Sequence, residues 1–369
     1  MNSTGDSVIV VPGLGGSILE AKWNHAKPHW FLSDKWKQIW PSVDAALPFE
    51  RGSWKSTVQT SISDDGKRIR NSHPGDISIR PRGFGGLKGV DTLYEIDWKI
   101  FDFHIVKYFL KTVEYLQSKG IKEIHGAPYD FRLVPDPIEL KKYFKKLKKL
   151  IESCEFPVTI IAHSLGTSMV TIFLNRQSQK WKNTYVKRYI SVSGPYGGAT
   201  KAIHACLTGD TETPISISEE FYRQVEVGFG GVLWMINSPE VFGDMNIVNN
   251  MNANQLGVAL SRKGSLSSAL VYEFLVRPLH KEVLKFPDVE THVVYGTGIE
   301  TPISLDYSKD DFSDSPTIQK GDGDGTVPLQ SLQAVKHWSV AGEYPIFKAS
   351  HLGILNHPRF LEILGKIFG

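Results

Sequence analysis

An α/β fold built on a mostly parallel sheet, with two insertions, is what this 369-residue chain predicts, and three observations carry it. An apolar β-type run at residues 157–163 is broken by Ser164 between small residues and passes at once into a helical pattern. Strand-like and helix-like segments alternate between residues 121 and 192, as they do where crossover helices join parallel strands. A late strand near residue 344, followed by a terminal helix, resumes that alternation after a long interruption. With 41% hydrophobic and 22% charged residues, the composition supplies an ordinary globular core. A single domain over residues 1–369 is therefore expected, its length accounted for by the insertions.

The residues justify each element in turn. Ser7, Val8, Ile9, Val10 and Val11 form a buried strand that runs into the glycine-rich loop Pro12-Gly13-Leu14-Gly15-Gly16. Residues 28–75 are irregular, with Trp30, Trp36, Trp40 and Trp54 among Lys, Pro and Ser, and read as an inserted membrane-binding subdomain. Indole rings settle at headgroup depth in a lipid interface, although packing a small satellite core would use them equally well. Residues 100–119 form a helix with Phe103, Val106, Leu110 and Val113 on one face and Gly120 as its stop. A short strand follows at residues 121–124. Leu140, Phe144, Leu147 and Ile151 then recur at helical spacing and lay a helix on the sheet. Six lysines between residues 141 and 149 fill its other faces, which a solvated surface explains better than contact with anionic lipid. After the strand and helix around Ser164 comes a strand at residues 185–192. Residues 200–285 break the alternation with loops and short amphipathic pieces such as 229–236, and read as a lid or cap. Strands at 291–295 and 344–348 and a closing helix at 358–368 end the chain.

Other classes of function are excluded by composition. A net charge of +3 is too small to indicate nucleic acid, while a mildly basic surface suits anionic membranes. Cys154 and Cys206 lack metal-ligand spacing and are expected as free thiols. No apolar stretch approaches 18 residues, and residues 1–7 carry neither the basic nor the apolar region of a signal peptide. A protein peripheral to membranes is expected, lysosomal or secreted if a leader has been removed and intracellular otherwise.

The chemistry begins at Ser164. A serine held on a sharp strand-to-helix turn has its hydroxyl pushed out of the sheet, and the turn tolerates only small residues two before and two after it. Ala162 and Gly166 hold those places, alanine standing where the usual first glycine would be. A serine hydroxyl is a weak nucleophile until a neutral imidazole takes its proton and an acid fixes that imidazole's tautomer. In such folds the acid and then the histidine follow the serine in the chain. Asp324, in the loop Gly321-Asp322-Gly323-Asp324-Gly325, is the preferred acid, with Asp322 its competitor. A calcium loop is a poor reading of this segment, because Thr326 and Gln333 stand at ligand positions. His351 follows the last strand and is the preferred base; His357 abuts Pro358, where helix capping accounts for it, and His337 precedes that strand. An oxyanion hole needs two backbone N–H groups, and those of Leu14 and Leu165 are the candidates. The chemistry calls for no metal or organic cofactor.

The motifs just described, together with Leu19-Glu20-Ala21-Lys22, Gly126-Ala-Pro-Tyr-Asp-Phe-Arg132, Ala162-His-Ser-Leu-Gly166, Gly194-Pro-Tyr-Gly-Gly198, Tyr295-Gly-Thr-Gly298 and Ser350-His-Leu352, resemble the lecithin:cholesterol acyltransferase family. Within it they are most similar to the lysosomal phospholipase A and transacylase branch. The resemblance spans nearly the whole chain and implies an α/β-hydrolase fold with a membrane-binding subdomain early and a lid after the serine. It implies a triad of Ser164, Asp324 and His351, with Leu14 and Leu165 at the oxyanion positions. Three departures stand out. No cysteine precedes Cys154, where secreted and lysosomal members close a loop with a disulfide. Leu14 stands where the lysosomal branch has an acidic residue, so that branch's acid-adapted activity is not carried over. Phe131 replaces the usual tryptophan.

The expected function is that of a serine-dependent phospholipase A and O-acyltransferase, passing a fatty acyl group to water or a lipid alcohol. The expected partners are a phospholipid membrane surface or a lipoprotein-like particle and the alcohol acceptor, with the chain acting as a monomer. A neutral-lipid or carboxyl esterase is the nearer alternative, and a catalytically silent lipid-binding protein the more distant one.

Overall fold

The computed structural model describes residues 5–25, 31–42, 47–93, 107–209 and 218–369. Six strands form the central sheet: β1 (Ser7–Val11), β2 (Glu123–Gly126), β3 (Val158–His163), β4 (Val186–Val192), β5 (Thr291–Thr297) and β6 (Gly342–Phe347). Their order across the sheet is β6-β5-β4-β3-β1-β2, and every neighbouring pair is parallel.

Parallel strands buried on both faces need apolar residues at successive positions, and β1 and β3 supply them. Alternate residues then feed opposite layers. Ile9, Val11, Ile160 and Ala162 join the larger core, while Val8, Val10 and Ile161 join the other. The smaller core is closed by the helices Leu110–Ser118 and Pro358–Phe368 through Val113, Leu116, Phe360, Ile363 and Leu364. The larger is covered by the helices Pro137–Ser153 and Leu165–Asn175 through Leu140, Phe144, Leu147, Ile151, Met169 and Phe173. Each fully buried Leu, Ile or Phe contributes about 1.5–3 kcal/mol. Asp136 caps the first of these helices, its carboxylate accepting from the Ile138 and Glu139 N–H groups, with Pro137 at the first position.

The strand order locates a crevice. From β1 the chain passes to its edge neighbour β2, whereas from β3 it progresses the other way to β4 and beyond. The connections leaving β1 and β3 therefore diverge, and the carboxyl ends of those two strands border an open cleft. Val11 lies opposite Ala162 in the register, so the chain emerges from both strands side by side there.

Most expected strands lie within a few residues of their expected places. Of the helix expected at 100–119, Leu110–Ser118 is helical and Gly120 ends it with φ 90°; Phe103 and Val106 lie outside the described residues, as does Trp30. Unexpected from the sequence is the antiparallel hairpin of Ile299–Asp306 and Thr317–Gly323, which grows from the end of β5.

A three-stranded sheet sets Leu19–Trp23 between Lys37–Trp40 and Ile77–Pro81, and of these strands only Lys37–Trp40 lies within residues 28–75. Here the tryptophans divide. Trp54 is 1% exposed, and its Nε1–H donates to Ile39 O at 2.8 Å. A ring so enclosed cannot reach a lipid interface, which corrects the surface role expected for Trp54: it packs the core. Trp40 stacks on Trp54 and meets Phe131 and Phe229 edge-on, and its Nε1–H donates to Gly15 O at 2.9 Å. Trp36 is half-buried, with Arg80 3.8 Å from its ring centroid.

Candidate active site

Ser164 adopts φ 54°, ψ −131° at the head of the helix Leu165–Asn175. This backbone conformation is costly for a residue with a Cβ and is maintained by its surroundings. The Ser164 N–H donates to Val192 O at 2.9 Å, and Thr167 N–H to Ser164 O at 2.8 Å. Small residues are required around it because backbones converge: a Cβ on Gly166 would lie 2.4 Å from Pro12 O, and one on Gly13 would lie 2.6 Å from Ser164 Cβ.

Asp324 and His351 arrive from distant segments. Asp324 follows the return strand of the hairpin, and its Oδ1 accepts from the Thr326 and Val327 N–H groups at 3.1 and 2.8 Å. Its Oδ2 lies 2.7 Å from His351 Nδ1, and His351 Nε2 lies 2.9 Å from Ser164 Oγ. The carboxylate contact requires the proton on Nδ1 and leaves the Nε2 lone pair facing the serine hydroxyl. Burial pushes the Asp324 carboxyl up, but the His351 charge and the hydrogen bonds from His351, Val327 and Thr326 outweigh it and hold it below the usual carboxylate range. Asp322 is engaged elsewhere, its Oδ1 accepting from Gly298 N–H at 2.6 Å. His357 caps the closing helix, its Nδ1 accepting from Arg359 N–H at 3.1 Å.

Leu14 lies in a turn closed by Gly16 N–H to Gly13 O, with Gly15 at φ 69°. Among the described residues no hydrogen bond uses the Leu14 or Leu165 N–H, so both are free to receive an oxyanion. Trp40 holds this turn through Gly15 O.

Sequence reasoning missed two residues. His163 and Tyr108 are buried beside the serine, and His163 Nε2–H donates to the His351 carbonyl at 2.8 Å. Its Nδ1 accepts from the Tyr108 hydroxyl at 2.6 Å, and that oxygen accepts from Gly13 N–H at 2.9 Å. His351 N–H in turn donates to Asp324 O at 2.9 Å. One chain of hydrogen bonds thus ties the glycine loop, the strand before Ser164, and the His351 and Asp324 backbones. The available signal was a histidine inside an otherwise apolar strand.

This arrangement requires neutral His163, and burial first, then the His351 charge, lowers its pKa to about 3. Burial also lowers that of His280 to about 4. A histidine with a depressed folded pKa binds its proton in the unfolded chain first, so stability is lost as pH falls below about 6.5 towards those values. Stability measured by urea unfolding is expected to fall between pH 7 and 4.5 by about 2–3 kcal/mol for each of the two imidazoles. Equal stability at both pH values would show that they titrate like exposed groups.

One group among the described residues could offer three metal-ligand atoms, Glu123, His125 and Cys154, within 4.8 Å of one another. Glu123 opens β2 opposite Ser7, at the end of the parallel sheet remote from Ser164. Its carboxylate is already engaged by Ser7, Glu155 N–H and His125. Burial and the Glu123 charge push the Cys154 thiol up to about 12, against thiolate ligation. No helix among the described residues is long and apolar enough to cross a membrane.

A family model described as lecithin:cholesterol acyltransferase matches residues 35–251. Lecithin-cholesterol acyltransferase-like 1 of Arabidopsis thaliana is 30% identical, the match covering 97% of this chain and 88% of that protein. Lysosomal phospholipase A and acyltransferase of Homo sapiens is 29% identical over 98% of this chain and 90% of its own. Phosphatidylcholine-sterol acyltransferase of Mus musculus is 28% identical, with 98% and 84% covered. Among solved structures, a chain in the crystal structure of the Tle4-Tli4 complex superposes with a TM-score of 0.56 at 11% identity, covering 99% of this chain and 98% of that one. That likeness bears on the fold, which is an α/β-hydrolase fold.

Proposed function

The chain belongs to the lecithin:cholesterol acyltransferase family, and we propose that Ser164 carries the acyl group in its reaction. The protein is a serine acyl hydrolase and acyltransferase of the phospholipase A type. The observation that supports the assignment of roles is the pair of contacts at the β1/β3 crevice, Ser164 Oγ to His351 Nε2 at 2.9 Å and His351 Nδ1 to Asp324 Oδ2 at 2.7 Å.

Ser164 Oγ attacks an ester carbonyl of a glycerophospholipid as His351 Nε2 takes its proton. The Leu14 and Leu165 N–H groups receive the oxyanion. His351 returns the proton to the departing glycerol oxygen, and Asp324 keeps the imidazole in the required tautomer and stabilises its charged form. Water or a lipid alcohol then attacks the acyl-enzyme, its proton passing to the same nitrogen. We assign residues 200–285 to a lid, supported by packing: a Cβ on Gly231, in the helix Gly230–Trp234, would lie 2.8 Å from Leu14 Cδ1 and 3.2 Å from Leu165 Cδ2. A cover that excludes water favours the alcohol. The early subdomain is assigned to the lipid surface through half-buried Trp36, with Arg80 and Lys22 over its ring.

The test is to supply phosphatidylcholine liposomes with and without ceramide, diacylglycerol or a sterol, and to quantify free fatty acid against acylated alcohol. Acylated alcohol formed at the expense of free acid is expected. Free acid unaffected by every alcohol would restrict the protein to hydrolysis, and release of neither product would overturn the phospholipid substrate.

A further inference from the structure

Under the exposed side of the helix Pro137–Ser153 lies a groove of about 600 Å³, lined by none of the residues assigned to the acyl-transfer chemistry. Lys142, Lys145, Lys146 and Lys149 border it, all exposed. Their spacing of three, four and seven residues puts them on one stripe of the helix. Its two lining carboxylates are already neutralised, Asp130 by Arg132 at 2.6 Å and Glu139 by Lys142 at 2.8 Å. Among the described residues neither Lys145 nor Lys149 has a carboxylate within ion-pair distance, so the rim carries excess positive charge.

The floor is apolar and aromatic, with one exception. Phe84, Leu133 and Tyr143 line it beside Tyr129, which is 2% exposed. The Tyr129 hydroxyl is buried with no hydrogen-bond partner. A hydroxyl so enclosed offers a ligand in the groove no surface to meet, so the site rests on the lysines and the apolar floor. Arg80 lines the same groove and lies 3.8 Å from the ring centroid of Trp36, so the groove adjoins the surface assigned above to lipid.

We infer that this groove binds the phosphate headgroup of an anionic phospholipid, with the lysine stripe meeting the charge and the aromatic floor under the glycerol and first methylenes. It is a second lipid contact, separate from the acyl site, and its binding test does not require turnover. A surface cation near an acidic bilayer contributes about 1 kcal/mol, or roughly fivefold in affinity.

Cosedimentation with vesicles of phosphatidylcholine, alone or with a minor fraction of phosphatidylglycerol, tests it. The wild-type chain is expected to bind the mixed vesicles more tightly, by a margin that shrinks with salt. Lys145→Ala/Lys149→Ala should weaken binding to mixed vesicles about 30-fold and leave binding to pure phosphatidylcholine and hydrolysis of a short soluble ester unchanged. Lys141→Ala/Lys180→Ala removes the same charge outside the groove and should have little effect. Equal losses from both lysine pairs would overturn the site in favour of diffuse surface charge. Release from mixed vesicles by inorganic phosphate, but not by chloride at equal ionic strength, would overturn the lipid assignment in favour of free phosphate.

Discussion

Ser164→Ala is expected to lower turnover of phospholipid and of soluble esters by roughly four to six orders of magnitude while leaving the folded structure intact. Alanine keeps the Cβ, so the backbone at φ 54° is no more strained than with serine, and only a hydroxyl is removed from a 5% exposed position. His351 Nε2 then has no proton to take, and no acyl-enzyme can form. The residual rate is what binding and the free Leu14 and Leu165 N–H groups give to attack by water. Single-turnover kinetics with a chromogenic ester, beside a urea unfolding curve, measure both halves of the expectation. Activity within tenfold of wild type with an unchanged unfolding curve would remove Ser164 from the reaction.

Asp324→Asn is expected to lower kcat by about four orders of magnitude with little change in fold. The argument is one of hydrogen-bond bookkeeping. Oδ1 accepts from the Thr326 and Val327 N–H groups, so in the amide the carbonyl oxygen keeps that position and the NH₂ group replaces Oδ2. The NH₂ group would then donate to His351 Nδ1, 2.7 Å from Oδ2 in the wild type, and force the ring proton onto Nε2. An Nε2–H cannot accept from Ser164 Oγ. The effect should fall on kcat rather than KM, because no substrate contact is lost. A variant at near wild-type kcat would mean that another group orients His351.

Much of the scaffold was legible because its determinants are local. Continuous apolar runs and helical spacings mark the sheet and its covering helices, and the place of Ser164 follows from an apolar run stopping against small residues. The tryptophan-rich segment within residues 28–75 was less legible. Trp36, Trp40 and Trp54 are the same residue type in one segment, yet one is half-buried, one braces the glycine loop and one fills the core. Side-chain identity cannot separate those fates, since burial depends on what other segments bring to the ring. The hairpin that delivers Asp324 was also hidden: its return strand, Thr317–Gly323, is polar and largely exposed and carries no burial pattern.

The sequence by itself determined the α/β class, the order in which serine, aspartate and histidine occur, and the choice of His351 over His357, whose place before Pro358 suits a cap. Only the tertiary structure decided that Asp324 rather than Asp322 faces the imidazole, and that His163 and Tyr108 tie the loops of the site together. It also decided that a lysine stripe borders a groove rather than merely facing solvent. The physical reason is separation along the chain. Local patterns specify the period and direction of an element, whereas a hydrogen bond between His351 and Ser164, 187 residues apart, depends on strand order and on the register that sets β1 beside β3.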